Sequence, residues 1–171
     1  VVTTGGKLYC YGSASGAAKE HPLKRGQLTS ADEGAKALVA SMHKNAPIKD
    51  GYAVVLGCAD TASIDELLLQ TKYGVIAVDP NPKTVDKLRR HYDSKGLYDQ
   101  RLTIISGNVD NKLLAPHIAT ILICKDSAKA GVKKADSIYR LLRPYGGAAY
   151  CDGSLKSGFA KIKEPGTTIA D

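Results

Sequence analysis

From residue 51 onward the chain alternates between two kinds of segment, and this alternation restricts its fold more than any other feature. Short apolar runs occur at 53–56, 74–78, 102–105, 120–123 and 148–150. Runs of this length without polar interruption suit strands buried on both faces. Between them the apolar residues recur at helical intervals. Leu67 and Leu68 follow Ser63, Val85, Leu88 and Tyr92 share one face after Pro82, and Val132, Ala135, Ile138 and Leu141 line another. Strands alternating with helices require right-handed crossovers, and hence a mostly parallel sheet with helices on both faces. The expected fold class is therefore α/β, a three-layer Rossmann-like sandwich.

The boundaries follow from capping chemistry. Ser30-x-x-Glu33 reads as a capping box that starts a helix near Ser30, and Ser63-x-x-Glu66 as a second one. Asn81 is placed to cap a helix whose first residue is Pro82, where the missing N–H costs nothing. A further helix is expected over 130–142. Ahead of the alternating region, residues 1–12 read as a hairpin around Gly5-Gly6, and residues 13–28 as a linker rich in Gly, Ala, Ser and Lys. The main domain then covers 29–153. Residues 154–171 are expected to hold a shortened strand at 158–163 and a tail. The first residues show neither a starting Met nor a leader pattern, so the chain reads as part of a longer protein.

With 171 residues, 43% hydrophobic and 24% charged, the chain has the composition of one ordinary globular domain. It has no Trp and one Phe, so its core must be largely aliphatic. No apolar run is long enough to span a bilayer as a helix. Lys and Arg number 24 against 17 Asp and Glu, a net charge of +7. The basic residues are dispersed and form no stripe, so nucleic acid is not an expected partner. Cys10, Cys58, Cys124 and Cys151 are far apart, and no C-x-x-C pair suggests zinc. Cys58, Cys124 and Cys151 each fall at a strand end, where a soft-metal rim is conceivable. The favoured reading is small buried side chains, and no metal is assigned. No two histidines are spaced to share a helical face.

In a sheet of this kind, ligands bind outside the carboxyl ends of the strands. The candidate positions are Gly57, Cys58 and Ala59 after the first main strand, Asp79 and Pro80 after the second, Asn108 after the third, and Cys124 and Lys125 after the fourth. Asp79 lies 22 residues beyond Gly57. A carboxylate at that spacing suits the two ribose hydroxyls of an adenosine. Only Gly57 remains of a G-x-G-x-x-G loop, which argues against a tightly held pyrophosphate and against a nicotinamide dehydrogenase.

The segments AVVLGCADTASIDELL, VIAVDPNPKTVDKLRRHYDSKGLYDQRLTIISGNV, ATILICKDS and LLRPYGGAAYCDG together resemble the class I S-adenosylmethionine-dependent methyltransferases. The resemblance implies S-adenosylmethionine as cofactor, Gly57 at the glycine loop, Asp79 at the ribose and Asn108 facing adenine. Val55 stands where that family has an acid, and the later loop glycines are missing. The Asp/Asn-Pro-Pro-aromatic signature of the amino methyltransferases is absent, so no catalytic base is assigned. GGKLYCYG is similar to a blade segment of pyrroloquinoline-quinone-type β-propellers. That likeness implies a propeller domain of the same parent chain as partner. Two functions follow: a methyltransferase acting on an unidentified small-molecule or other acceptor, or a non-enzymatic module without cofactor beside a propeller. The first implies the cytoplasm and the second an extracytoplasmic setting.

Overall fold

The computed structural model describes residues 26–30, 32–58, 61–98 and 100–162, with two short strands ahead of them. Those strands, Val2–Thr4 (β1) and Lys7–Tyr9 (β2), form the expected antiparallel hairpin. The expected linker lies mostly outside the described residues, as does the tail from 163.

The five main strands are Tyr52–Leu56 (β3), Gly74–Asp79 (β4), Leu102–Ser106 (β5), Ala119–Cys124 (β6) and Ala148–Cys151 (β7). They form one parallel sheet in the order β5-β4-β3-β6-β7. The chain thus builds outward from β3 in one direction and then returns to build in the other. The interior strand β6 is buried along its whole length, as its largely apolar sequence requires.

Successive residues of each strand serve opposite layers. Val55, Ala77, Ile104 and Ile123 pack on one side with Leu67, Val85 and Tyr92. Val54, Ile76, Val78 and Leu122 pack on the other with Ile138 and Leu141. Each such aliphatic side chain contributes about 1.5–3 kcal/mol on leaving water. The two large buried tyrosines keep their hydroxyls satisfied. Tyr73 donates to the carbonyl of Ile48 at 2.7 Å, and Tyr92 to the carboxylate of Asp65 at 2.8 Å.

Helix α1 spans Glu33–Asn45 and α2 spans Ala62–Gln70. Neither expected capping box forms. Asp32 caps α1, its carboxylate accepting from the Ala35 N–H at 2.6 Å. An ionised cap is the stronger partner for the positive helix end. Ser30 instead donates to Glu66. Ser63 and Glu66 lie inside α2, both buried, and Thr61 occupies the cap position without a side-chain capping bond. Glu66 is the hub of a small polar contact. Its other oxygen accepts from the Gln70 side chain at 2.6 Å, so the ladder joins α2 to the segment leading into α1.

Helix α3, Pro82–Asp93, begins as the sequence predicts, with the Asn81 side chain accepting from the Lys83 N–H at 3.0 Å. Helix α4 covers Ala135–Leu141, shorter than the expected 130–142. Ala130 and Val132 are buried but precede it, in a turn where Gly131 takes φ of 70°. The expected strand at 158–163 is not present over 158–162. A short helix, Lys156–Phe159 (α5), stands there instead, and Gly158 packs so closely on α4 that a Cβ would come within 2.8 Å of the Ala135 Cβ.

Candidate functional site

Strand order reverses between β4 and β6, on either side of β3. A crevice is expected outside the carboxyl ends at such a point. Gly57 leaves β3 at φ of 76°, a conformation costly for any side chain with a Cβ, and its N–H donates to the Val78 carbonyl at 2.9 Å. The next N–H, of Cys58, donates to Oδ2 of Asp79 at 2.8 Å. Oδ1 of Asp79 accepts from the Asn81 N–H at 2.9 Å. The Asp79 side chain therefore ties the β3 loop to the start of α3, and only 5% of the residue is exposed.

Asn108 caps a short turn after β5. Its oxygen accepts from the Asp110 N–H at 2.8 Å, and its amide donates to the Gly131 carbonyl at 2.7 Å. The acceptor belongs to the turn at 126–132 that follows β6. That turn is closed by bonds from Ala130 to the Asp126 carbonyl at 3.0 Å and from Val132 to the Ser127 carbonyl at 2.8 Å. It lies across the strand ends. A Cβ on Gly57 would come within 3.1 Å of the Ala130 Cβ, and one on Gly131 within 3.7 Å of the Pro80 Cγ. The turn thus bonds Asn108 and lies close to Gly57 and Pro80, three positions named as candidate cofactor contacts.

A cavity of about 220 Å³ remains beside the turn, lined by Gly57, Ser63, Asp79, Lys125, Asp126 and Lys129 among others. Sites for drug-sized ligands start at about 300 Å³. The Ser63 hydroxyl is buried and has no hydrogen-bond partner among the described residues. Asp126 is half-buried, and hydrogen bonds from the backbone and side chain of Lys129 hold its carboxyl below the usual range.

The three described cysteines do not share one rim. Cys58 packs in the layer of Val55 and Ile123, whereas Cys124 and Cys151 pack in the opposite layer. Burial, with the charge of Asp79 adding to it, pushes the Cys58 thiol up to about 12. Among the described residues no three metal-binding side chains cluster.

No family model matches the sequence, and no curated protein is similar to it in sequence. Solved structures do match. A protein from Methanococcus maripaludis assigned to the S-adenosyl-L-methionine-dependent methyltransferases superposes with a TM-score of 0.52 at 19% identity, over 66% of this chain and 52% of that one. A geranyl diphosphate methyltransferase in complex with its methyl donor gives 0.52 at 15% identity, over 65% of this chain and 46% of that one. The fold is that of the class I S-adenosylmethionine-dependent methyltransferases. The [4+2]-cyclase SpnF shares it, with a TM-score of 0.54 at 12% identity over 67% of this chain and 43% of that one. This chain spans about half the length of these relatives or less.

Within the methyltransferase fold, Gly57, Asp79 and Lys125 line the remaining cavity, while Pro80 and Asn108 face the turn. Cys58 reaches the site through its backbone N–H alone, its thiol donating to the Val78 carbonyl at 3.4 Å. Cys124 is fully buried in the layer below. Ala59 lies outside the described residues. Sequence reasoning missed the turn at 126–132. Its signal was the small-residue run Ser127-Ala128-Lys129-Ala130-Gly131, which lacks the bulk of a helix face and can approach backbone closely.

Proposed function

We propose that this domain keeps the methyltransferase fold as a non-enzymatic binding or structural module, its nucleoside crevice filled by its own turn. One observation carries the reading: Ala130 and Gly131 rest on Gly57, Pro80 and Asn108. Three further features support it. The glycine loop is reduced to Gly57, the cavity that remains is small, and the Asp/Asn-Pro-Pro-aromatic signature is absent from the sequence. Fold alone does not establish activity. The hairpin of β1 and β2 fits a place beside a β-propeller of the same parent chain, which would be the module's partner.

The second reading is a methyltransferase that binds S-adenosylmethionine after the turn moves aside. It is favoured by Asp79, which keeps its position at the end of β4 on the cavity wall. Titrating S-adenosylhomocysteine into isotope-labelled protein separates the two. The module reading expects no saturable backbone amide shifts at Gly57, Asp79 and Asn108 up to millimolar ligand. Saturable shifts there with micromolar affinity would overturn it in favour of the enzyme.

A further inference from the structure

Cys124 and Cys151 are the last residues of neighbouring parallel strands, and they are direct register partners. Adjacent strands lie about 4.8 Å apart. Paired α-carbons at that spacing fall inside the roughly 4.4–6.8 Å that a disulfide spans. Register partners also project to the same side of a sheet. Both side chains accordingly pack in the layer of Val54, Leu56 and Leu122, beside Leu155 and Phe159. Both are free thiols.

The two differ in access. Cys124 is fully buried in a strand paired on both sides, whereas Cys151 is half-buried at the end of β7. Burial is the main force that pushes each thiol up to about 12, and the neighbouring Asp152 carboxylate adds to it in both cases. The pair is therefore held as a protonated dithiol at neutral pH, shielded from fast alkylation.

We infer that Cys124 and Cys151 form a dithiol site that a small-molecule disulfide oxidises to an intrachain bond between the ends of β6 and β7. Cys151, the more accessible, loses its proton to water and attacks one sulfur of the small disulfide. The small S–S bond breaks, a mixed disulfide forms on Cys151, and one small thiolate leaves. Cys124 then loses its proton and attacks the Cys151 Sγ. The Cys124–Cys151 bond forms and the second small thiolate departs. Two cysteine thiols are oxidised, one small disulfide is reduced to two thiols, and the two released protons balance the two thiolates. Cys58 cannot substitute for either thiol, because the sheet lies between it and the pair. The inference does not depend on whether the crevice binds a nucleoside.

The test is to incubate the full chain with glutathione disulfide at about pH 8.5, then alkylate and map the peptides. The expected result is an intact mass lower by about 2 Da and a cross-linked peptide joining Cys124 to Cys151, both reversed by dithiothreitol. Cys124→Ser and Cys124→Ala should each stop at a stable mixed disulfide on Cys151. Three results would overturn the inference: a mixed disulfide that persists on Cys151 in the unsubstituted chain, a cross-link that uses Cys10 or Cys58, or free thiols at both positions once the urea-unfolded chain has fully reacted. The unsubstituted chain carries the decision, so a variant that fails to fold does not spoil it.

Discussion

The side-chain amide of Asn108 donates to the carbonyl of Gly131 at 2.7 Å, and this bond ties the end of β5 to the turn that follows β6. The same side chain caps the Asp110 N–H at 2.8 Å. Asn108→Ala removes both, at a cost of about 1–3 kcal/mol. The amides of Ala130, Gly131 and Val132 should then exchange with deuterium at least about fivefold faster. Unchanged exchange there would mean that the turn is held without Asn108.

Gly57→Ala tests the close approach at the other end of the turn. The residue sits at φ of 76°, and its new Cβ would meet Ala130 at 3.1 Å. The left-handed backbone alone costs about 1–2 kcal/mol. Urea denaturation should show a loss of at least that size. Amide shifts should spread to Ala130 and Gly131, which are more than 70 residues away in sequence but in contact.

Glu66 is a buried carboxylate held by Ser30 and Gln70. Glu66→Ala leaves a void and strands both partners, which should cost about 2–4 kcal/mol. Ser30→Ala removes one bond to an exposed residue and should cost about 1 kcal/mol or less. Equal losses from the two substitutions would contradict this hub.

Asp152 gives a pH dependence. Burial works to raise its carboxyl, but hydrogen bonds from Ser154 and Ser127 outweigh burial and leave it lowered to about 2. A carboxyl lower in the folded than in the unfolded chain stabilises the fold above the unfolded value of about 3.9. That stability is lost as pH falls through the folded value. The residue is half-buried and still reached by solvent, so screening keeps the effect small. The stability gap between the unsubstituted chain and Asp152→Asn should therefore narrow between about pH 4 and about pH 2, as read by urea midpoints.

The sheet was legible because its signals are local. Apolar runs such as Ala119–Cys124 have no alternative burial, and Asn81-Pro82 spells a helix start within two residues. Caps with rival candidates were not. Ser30 and Asp32 both precede α1, and only tertiary contact with Glu66 decides that Ser30 faces α2 while Asp32 caps. The strand ends were legible, since Gly57, Asp79 and Asn108 do fall at or just beyond the carboxyl ends of β3, β4 and β5. The turn at 126–132 beside them was not. Contacts between Gly57 and Ala130 join segments far apart in the chain, and small residues carry no periodic pattern that announces where they pack. The partition of the cysteines failed for a similar reason. Being at a strand end says nothing of the face: Cys58 lies two residues beyond Leu56, outside β3, where the left-handed turn at Gly57 and not strand alternation sets its side.

The order β5-β4-β3-β6-β7 leaves β7 bonded on one side only among the described residues. Its outer margin presents backbone donors and acceptors next to the exposed Tyr150. Such a margin is a template onto which another extended segment can be laid, and the sheet can lengthen there without rearranging its interior. With only Ala148–Cys151 available, it can accept just a few rungs. Growth at that border must therefore be short, directional and dependent on side-chain contacts to hold.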